Sequence, residues 1–212
     1  GASTQGVGSI AIGNGAGTAN QITNAIAIGV NTGAQSQGLY CIAIGTNAGR
    51  TEQGGSSVSI GAFSATTVQG TNCVAVGVNA GTSGQGNSSV AIGSSSGTNT
   101  QGTSCVAIGS NAGRTNQGNS SVAVGVSTGA NTQGTSCVAI GNIAGNANQS
   151  TECIAIGLEA GRATQGANAV AIGSYAGRTS QGQYCIAIGS NAGQLSQGAA
   201  SVAIGNVAGQ SA

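Results

Sequence analysis

The sequence predicts an all-β protein, a parallel β-solenoid (β-roll) in which each turn is one sixteen-residue repeat carrying two short strands. A block such as CVAIGSNAGRTNQGNS, residues 105–120, recurs without insertion or deletion from Ser9 to Ser201. Within the block, apolar residues alternate with period two and glycine holds fixed positions, which a disordered glycine-rich linker would not do. At sixteen residues per turn we expect about 13 turns, in one continuous array over residues 1–212.

The first strand of each repeat is predicted at segment 106–108, where two β-branched residues flank an alanine. We expect the valine and isoleucine side chains to point into the coil, and the alanine and the residue before the strand to point outward. A glycine, Gly109 in this copy, ends the strand in every copy, because glycine adopts positive φ with little strain. A second, weaker strand is expected at 111–113, followed by a polar stretch that closes at 117–118.

Stacking turns each position of the repeat into a column of equivalent residues. The expected interior consists of the two valine and isoleucine columns, with an alanine column facing them (Ala16, Ala48, Ala80 and Ala112, with Thr32, Ser64, Ser96 and Thr128 as variants). The expected outward column is uniformly small and would let another chain approach closely (Ala11, Ala27, Ala43, Ser59, Ala75, Ala91 and Ala107 onward).

One glutamine column has no exception among the repeats, although an exposed turn would not need the same amide in every copy. We expect a structural row of stacked amides that bond to each other or to turn backbone groups. A ligand-binding row is the alternative. The column comprises Gln5, Gln21, Gln37, Gln53, Gln69, Gln85, Gln101, Gln117, Gln133, Gln149, Gln165, Gln181 and Gln197.

All six cysteines share the column just before the first strand, where other copies carry serine or alanine. Cysteines two turns apart are separated by about 9.6 Å, beyond the roughly 7 Å limit for a disulfide. Only Cys137 and Cys153 lie on neighbouring turns, and residues paired in register on parallel strands have poor geometry for a disulfide. We expect free thiols that substitute for serine, with interchain disulfides as the alternative, for Cys41, Cys73, Cys105, Cys137, Cys153 and Cys185.

The composition argues against an enzyme. The chain has no His and no Asp, and Glu52, Glu152 and Glu159 occupy different positions of the repeat, so no paired carboxylates recur. We expect no catalytic residue, no metal site and no cofactor. A formal net charge of +1 predicts no basic surface that would bind nucleic acid. No apolar run is long enough to span a membrane.

The four arginines share one column, directly after an alanine–glycine pair, and we expect them to be exposed. They are Arg50, Arg114, Arg162 and Arg178. Solubilising charge on a nearly neutral surface is the simpler interpretation, and a contact row for an anionic glycan is the alternative. The chain begins at Gly1 and ends at Ala212 in the middle of a repeat, so we expect it to be part of a longer array.

The segment SVAVG at 121–125, with SIAIG at 9–13 and SVAIG at 89–93 and 201–205, resembles the core of YadA-like head repeats of trimeric autotransporter adhesins. Similar repeats of longer period occur in fibre proteins of phages and large DNA viruses. The resemblance covers nearly the whole chain, but its specific part is five residues per copy. It implies a left-handed parallel β-roll, a trimer and a role in display or adhesion.

A coil this thin buries little apolar surface, so we expect it to pack side by side with identical chains, as a trimer. The preferred functional prediction is a non-catalytic fibre or adhesin-head segment, extracellular on a cell or virion surface, whose host or matrix ligand the sequence does not encode. An ice-binding β-solenoid and a filament subunit that stacks end to end are the alternatives.

Overall fold

The computed structural model describes residues 5–209. Gly1 and Ala212, on which the expectation of a longer array rests, lie outside this range. The chain forms two compact units, Gly1–Cys105 and Val106–Ala212, and each consists of repeated turns with the same two strands. No helix in the described part of the chain is long and apolar enough to cross a membrane.

The first strand of each turn has three residues and coincides with the predicted valine–alanine–isoleucine segment. In the first unit these strands are β1 (Ile10–Ile12), β3 (Ile26–Ile28), β5 (Ile42–Ile44), β7 (Val58–Ile60), β9 (Val74–Val76) and β11 (Val90–Ile92). In the second unit they are β13 (Val106–Ile108), β15 (Val122–Val124), β17 (Val138–Ile140), β19 (Ile154–Ile156), β21 (Val170–Ile172), β23 (Ile186–Ile188) and β25 (Val202–Ile204).

The second strand of each turn has two or three residues and ends on the invariant glutamine. In the first unit these strands are β2 (Ala19–Gln21), β4 (Gln35–Gln37), β6 (Glu52–Gln53), β8 (Val68–Gln69), β10 (Ser83–Gln85) and β12 (Asn99–Gln101). In the second unit they are β14 (Thr115–Gln117), β16 (Asn131–Gln133), β18 (Ala147–Gln149), β20 (Thr164–Gln165), β22 (Ser180–Gln181) and β24 (Ser196–Gln197).

Within each unit, strands of the same kind pair in parallel with their counterparts one turn away. Val138 pairs with Ile154, for example, and Gln133 pairs with Gln149, so the register equals the sixteen-residue repeat. Odd-numbered strands form one sheet of each unit and even-numbered strands form the other. The prediction of a parallel β-solenoid with one repeat and two short strands per turn is confirmed.

The predicted position of the second strand is wrong by about four residues. Segment 111–113 is a turn, and the strand is Thr115–Gln117. The physical reason is a local hydrogen bond: Ala112 N donates back to Gly109 O at 3.3 Å, and Asn111 (φ 57°) and Gly113 (φ 51°) are left-handed, so this segment closes a tight turn. The polar stretch that the sequence suggested as a loop forms the strand instead.

The predicted direction of the side chains on the first strand is also wrong. The central alanines, such as Ala27, Ala107 and Ala171, are fully buried inside the coil, and the buried Ser59 replaces alanine in the same column. The flanking valine and isoleucine residues lie on the outer surface, and none of those in the described strands is buried. The small column that was expected to contact another chain is therefore the interior of its own coil.

The interior is narrow, which explains this inversion. Ala171, Ala176, Ala187 and Ala192 belong to one buried cluster. The alanine column of the first strand (Ala171 and Ala187) therefore meets the alanine column of the tight turn after that strand (Ala176 and Ala192) inside the coil. Only small side chains fit where these two alanine columns meet, and the β-branched residues of the first strand lie on the outside.

The glycine after the first strand is required by both conformation and space. Gly109 has φ 124°, and a Cβ atom there would lie 2.4 Å from the carbonyl oxygen of Gly125 on the next turn. A side chain would therefore force neighbouring turns apart.

Candidate interaction surface and interior columns

The outer side of the odd-numbered strands in each unit carries two adjacent columns of β-branched residues, which we call the valine–isoleucine face. Most of these residues are partly exposed, and Ile60, Ile108 and Ile140 are exposed by 37–38%. Side chains at alternate strand positions lie about 7 Å apart, and turns repeat every ~4.8 Å. The face is formed by Ile10, Ile12, Ile26, Ile28, Ile42, Ile44, Val58, Ile60, Val74, Val76, Val90, Ile92, Val106, Ile108, Val122, Val124, Val138, Ile140, Ile154, Ile156, Val170, Ile172, Ile186, Ile188, Val202 and Ile204.

This face is free of charge, since neither an arginine nor a glutamate occupies either of its columns. Further exposed apolar residues directly follow the glycine that ends the strand: Val30, Val78, Val126 and Leu158. A regular apolar surface without charged side chains is typical of a surface that contacts another protein.

The glutamine column lies inside the coil. From Gln21 to Gln181 every member is at most 2% exposed, Gln197 is 9% exposed, and Gln5 is exposed. In most turns the side-chain amide nitrogen donates to the carbonyl oxygen of the first residue of the odd-numbered strand. Gln181 donates to Val170 O at 2.8 Å, for example, and Gln133 donates to Val122 O at 2.9 Å. Each bond fastens the second strand of a turn to the first.

Many of these amides also bond to one another from turn to turn. Gln149 Nε2 donates to Gln165 Oε1 at 2.7 Å, Gln165 Nε2 to Gln181 Oε1 at 3.0 Å, and Gln181 Nε2 to Gln197 Oε1 at 3.2 Å. In the first unit the same bond joins Gln21 to Gln37, Gln37 to Gln53, and Gln69 to Gln85. Buried amides arranged in this way satisfy each other, so the column acts as a structural row rather than an open binding site.

The row is not uniform. Between Gln53 and Gln69 the amides are bridged by Ser59, whose hydroxyl accepts from Gln53 Nε2 at 3.3 Å and donates to Gln69 Oε1 at 2.8 Å. In the described residues, the Oε1 atoms of Gln133 and Gln149 are buried without a hydrogen-bond partner. The relay through Ser59 could not be read from sequence, because its hydroxyl was expected to point outward.

A glycine stands four residues before each glutamine from Gln21 to Gln197 except Gln69, where Ala65 has φ 42°, and it makes room for the amide. At Gly177, which has φ 51°, a Cβ atom would lie 2.8 Å from Gln181 Oε1 and 3.2 Å from the Ala171 side chain. The same relation holds for Gly33 and Gln37 in the first unit. The glycine of the alanine–glycine pair and the buried glutamine amide therefore pack together.

The cysteine column also lies inside the coil, and its six members are fully buried and form no disulfide with one another. Cys73 donates to Gly86 O at 2.9 Å, and serine at the neighbouring position behaves in the same way, with Ser89 donating to Gly102 O at 2.7 Å. The Ser57 hydroxyl also accepts the backbone N–H of Cys73 at 3.0 Å. A thiol in this position cannot reach another chain while its turn is intact.

Burial sets the protonation of the isolated thiols. It raises the pKa of Cys41 and of Cys73, and nearby backbone N–H groups only partly offset the effect. These thiols are therefore protonated and poorly nucleophilic at neutral pH.

The charged residues meet at one place in the second unit. Glu159 Oε2 accepts from Arg178 Nε at 2.7 Å and from Arg162 Nη1 at 3.1 Å, and the Arg178 guanidinium lies 5.5 Å from the Tyr175 ring centre. Burial opposes ionisation of Glu159, but Arg178 and Arg162 together outweigh it and lower the pKa of Glu159 below the usual value. The cluster is a surface ion-pair network, and sequence reasoning missed it because Glu159 and the arginines occupy different columns.

The structure does not bring the remaining glutamates together. In the part of the chain from 5 to 209, no three His, Cys, Asp or Glu side chains are placed to hold a metal ion. A comparison with protein-family models found none that matches the chain, and comparisons with curated proteins and with solved structures found no match. The fold itself defines the class, a tandem-repeat β-solenoid.

Proposed function

We propose that the chain is a non-catalytic structural segment of a fibre or adhesin head, in which identical chains pack side by side as a trimer through the valine–isoleucine face. The observation that carries the proposal is this face, because it is apolar, regular and uncharged over every described turn of both units. It replaces the small alanine column as the surface for lateral contact.

The magnitude of the apolar surface supports association. Burying the remaining exposed part of one valine or isoleucine side chain contributes roughly 0.5–1 kcal/mol, so the fourteen residues of the second unit contribute about 7–14 kcal/mol per chain. Association costs an estimated 4–15 kcal/mol in lost freedom of motion. Lateral packing over many turns therefore supplies free energy of the same size as this cost, whereas contact over one or two turns supplies far less.

The site of action is proposed to be extracellular, on a cell or virion surface, where another part of the assembly binds the host or matrix ligand. Support comes from the SVAIG resemblance and from the uniform repetition of the surface. Turns that repeat the same side chains offer rows of one residue type and not the convergence of unlike groups that catalysis requires.

The test is the mass of the chain in solution, measured by sedimentation equilibrium over a wide concentration range. The wild type should sediment at about three times its chain mass of 19.7 kDa. A double variant on the face, Ile140→Lys with Ile172→Lys, should sediment as a monomer, because a buried unpaired ammonium group opposes contact.

The matched control is Asn131→Lys with Thr164→Lys, which adds the same charges at exposed positions of even-numbered strands. It should remain trimeric, and circular dichroism should show β structure in all three proteins. A monomeric wild type at every concentration would refute the proposal. Long fibres of stacked chains in electron micrographs, with no lateral association, would favour the end-to-end filament instead.

A further inference from the structure

The inference concerns the one place where two cysteines occupy neighbouring turns, Cys137 and Cys153. The other four are separated from any cysteine by at least two turns, with Ser57, Ser89, Ser121 or Ala169 between. The pair lies beside strands β17 and β19, which are paired in register, Val138 with Ile154.

The two thiols have equivalent surroundings. Cys137 Sγ lies 2.7 Å from Ser150 O and 3.6 Å from Thr135 O, whereas Cys153 Sγ lies 3.1 Å from Gly166 O and 3.6 Å from Thr151 O. Equivalent contacts mean equivalent rotamers, so the sulfur atoms are related by one turn and lie about 4.8 Å apart. The backbone N–H of Cys153 lies 3.4 Å from Cys137 Sγ, which places this sulfur directly beneath the next cysteine.

This separation suits a bridging ion better than a disulfide. A disulfide requires an S–S distance of about 2.05 Å, so the sulfurs would have to approach by more than 2 Å in a close-packed coil. Two metal–sulfur bonds of about 2.3 Å placed end to end span roughly 4.6 Å. A two-coordinate ion therefore fits between the turns with almost no movement of the backbone.

We propose that Cys137 and Cys153 form a two-sulfur binding site for a soft monovalent cation of the Cu(I) type, held linearly between neighbouring turns. Thiolate sulfur is the ligand that selects such ions. Binding exchanges one thiol proton for the ion, which leaves one thiolate and one thiol on the metal and releases one proton. The charge of the buried site does not change, so no uncompensated charge is left in the interior.

The bound ion would cross-link two turns and stabilise the folded chain by mass action. Because both sulfurs are fully buried, the ion enters during local opening of a turn. This property is independent of the proposed lateral packing, since the thiols face the interior and the valine–isoleucine face points outward.

The experiment uses Ag(I), a redox-inert probe of the same class, added as the nitrate to the reduced full-length chain in chloride-free buffer. Native mass spectrometry counts bound silver, and thermal unfolding measures stabilisation. The wild type should bind one silver ion per chain at stoichiometric concentration, with a rise in the unfolding temperature. Cys137→Ser and Cys153→Ser should each lose this ion and the temperature rise.

Two controls separate the pair from cysteines in general. Cys73→Ser removes an isolated thiol and should bind silver as the wild type does; serine is tolerated in this column, as Ser89 and Ser121 show. Adding Ala169→Cys to Cys153→Ser places a new thiol one turn from Cys185 and should restore one bound ion. Absence of silver from the folded wild type, or equal binding by Cys73→Ser and Cys153→Ser, would overturn the proposal.

Discussion

The buried glutamine row gives a sharp prediction because two of its members differ in their partners but not in their burial. Gln165 Oε1 accepts from Gln149, and Gln165 Nε2 donates to Gln181 and to Ile154 O. Gln133 donates to Val122 O, and its Oε1 has no partner among the described residues. Gln165→Ala and Gln133→Ala remove the same atoms from equally buried sites.

The cavity left by the two substitutions is the same, so its cost cancels in the comparison. Gln165→Ala additionally strands the amide nitrogen of Gln149 and the amide oxygen of Gln181. Each buried polar group left unsatisfied costs about 1–3 kcal/mol. We expect Gln165→Ala to lower the free energy of unfolding by about 2–5 kcal/mol more than Gln133→Ala does, once neighbouring amides have partly relaxed.

Guanidinium unfolding followed by circular dichroism measures this difference. Both variants and the wild type should be compared at the transition of the second unit, with equal slopes as the check that the same structure unfolds. Equal destabilisation by the two substitutions would show that amide-to-amide bonds contribute nothing beyond filling space, and would refute the structural role of the row.

The remaining predictions concern turns and faces, and thermal unfolding measures each. Gly177→Ala should cost about 2 kcal/mol or more, because alanine is strained at φ 51° and meets the next glutamine amide. Gly84→Asn should stay within about 0.5 kcal/mol of the wild type, since φ is 77° and a Cβ atom there meets nothing within 4 Å. Ile143→Asn should stabilise the chain by about 1 kcal/mol by relieving a β-branched residue at φ 58°. Ala171→Leu should destabilise the chain by about 1–3 kcal/mol, because Ala171 is buried, whereas Val170→Ile on the outer surface should leave its stability unchanged. Greater destabilisation by Val170→Ile than by Ala171→Leu would show that the valine and isoleucine columns lie inside the coil.

The repeat length predicted the fold because a strict period leaves few ways to stack turns, and the invariant glycine located the end of each first strand. The direction of the side chains could not be obtained from hydrophobicity, because the interior beside the first strand is filled by alanines and by the glutamine amides, which leaves no room for large apolar side chains. A better signal was the range of residue types that each column accepts. Valine and isoleucine exchange freely at 106 and 108, whereas position 107 accepts only alanine or serine in the repeats.

The interior polar groups were only partly predictable. The unbroken glutamine column indicated a structural role, because a strict requirement for one amide points to specific partners. The relay through Ser59 and the meeting of Glu159 with Arg162 and Arg178 depend on side-chain directions and on the spacing between columns. Those quantities follow from the three-dimensional coil and not from the order of residues alone.

The most direct test of lateral packing through the valine–isoleucine face is cross-linking with a short bismaleimide, because the six native thiols are buried and only an added surface cysteine should react. Ile140→Cys places a thiol on the face, and Asn131→Cys places one on an exposed even-numbered strand. Ile140→Cys should give covalently linked pairs of chains at micromolar protein, and Asn131→Cys should remain single. Equal linkage of the two variants, or efficient linkage of Asn131→Cys alone, would contradict the account.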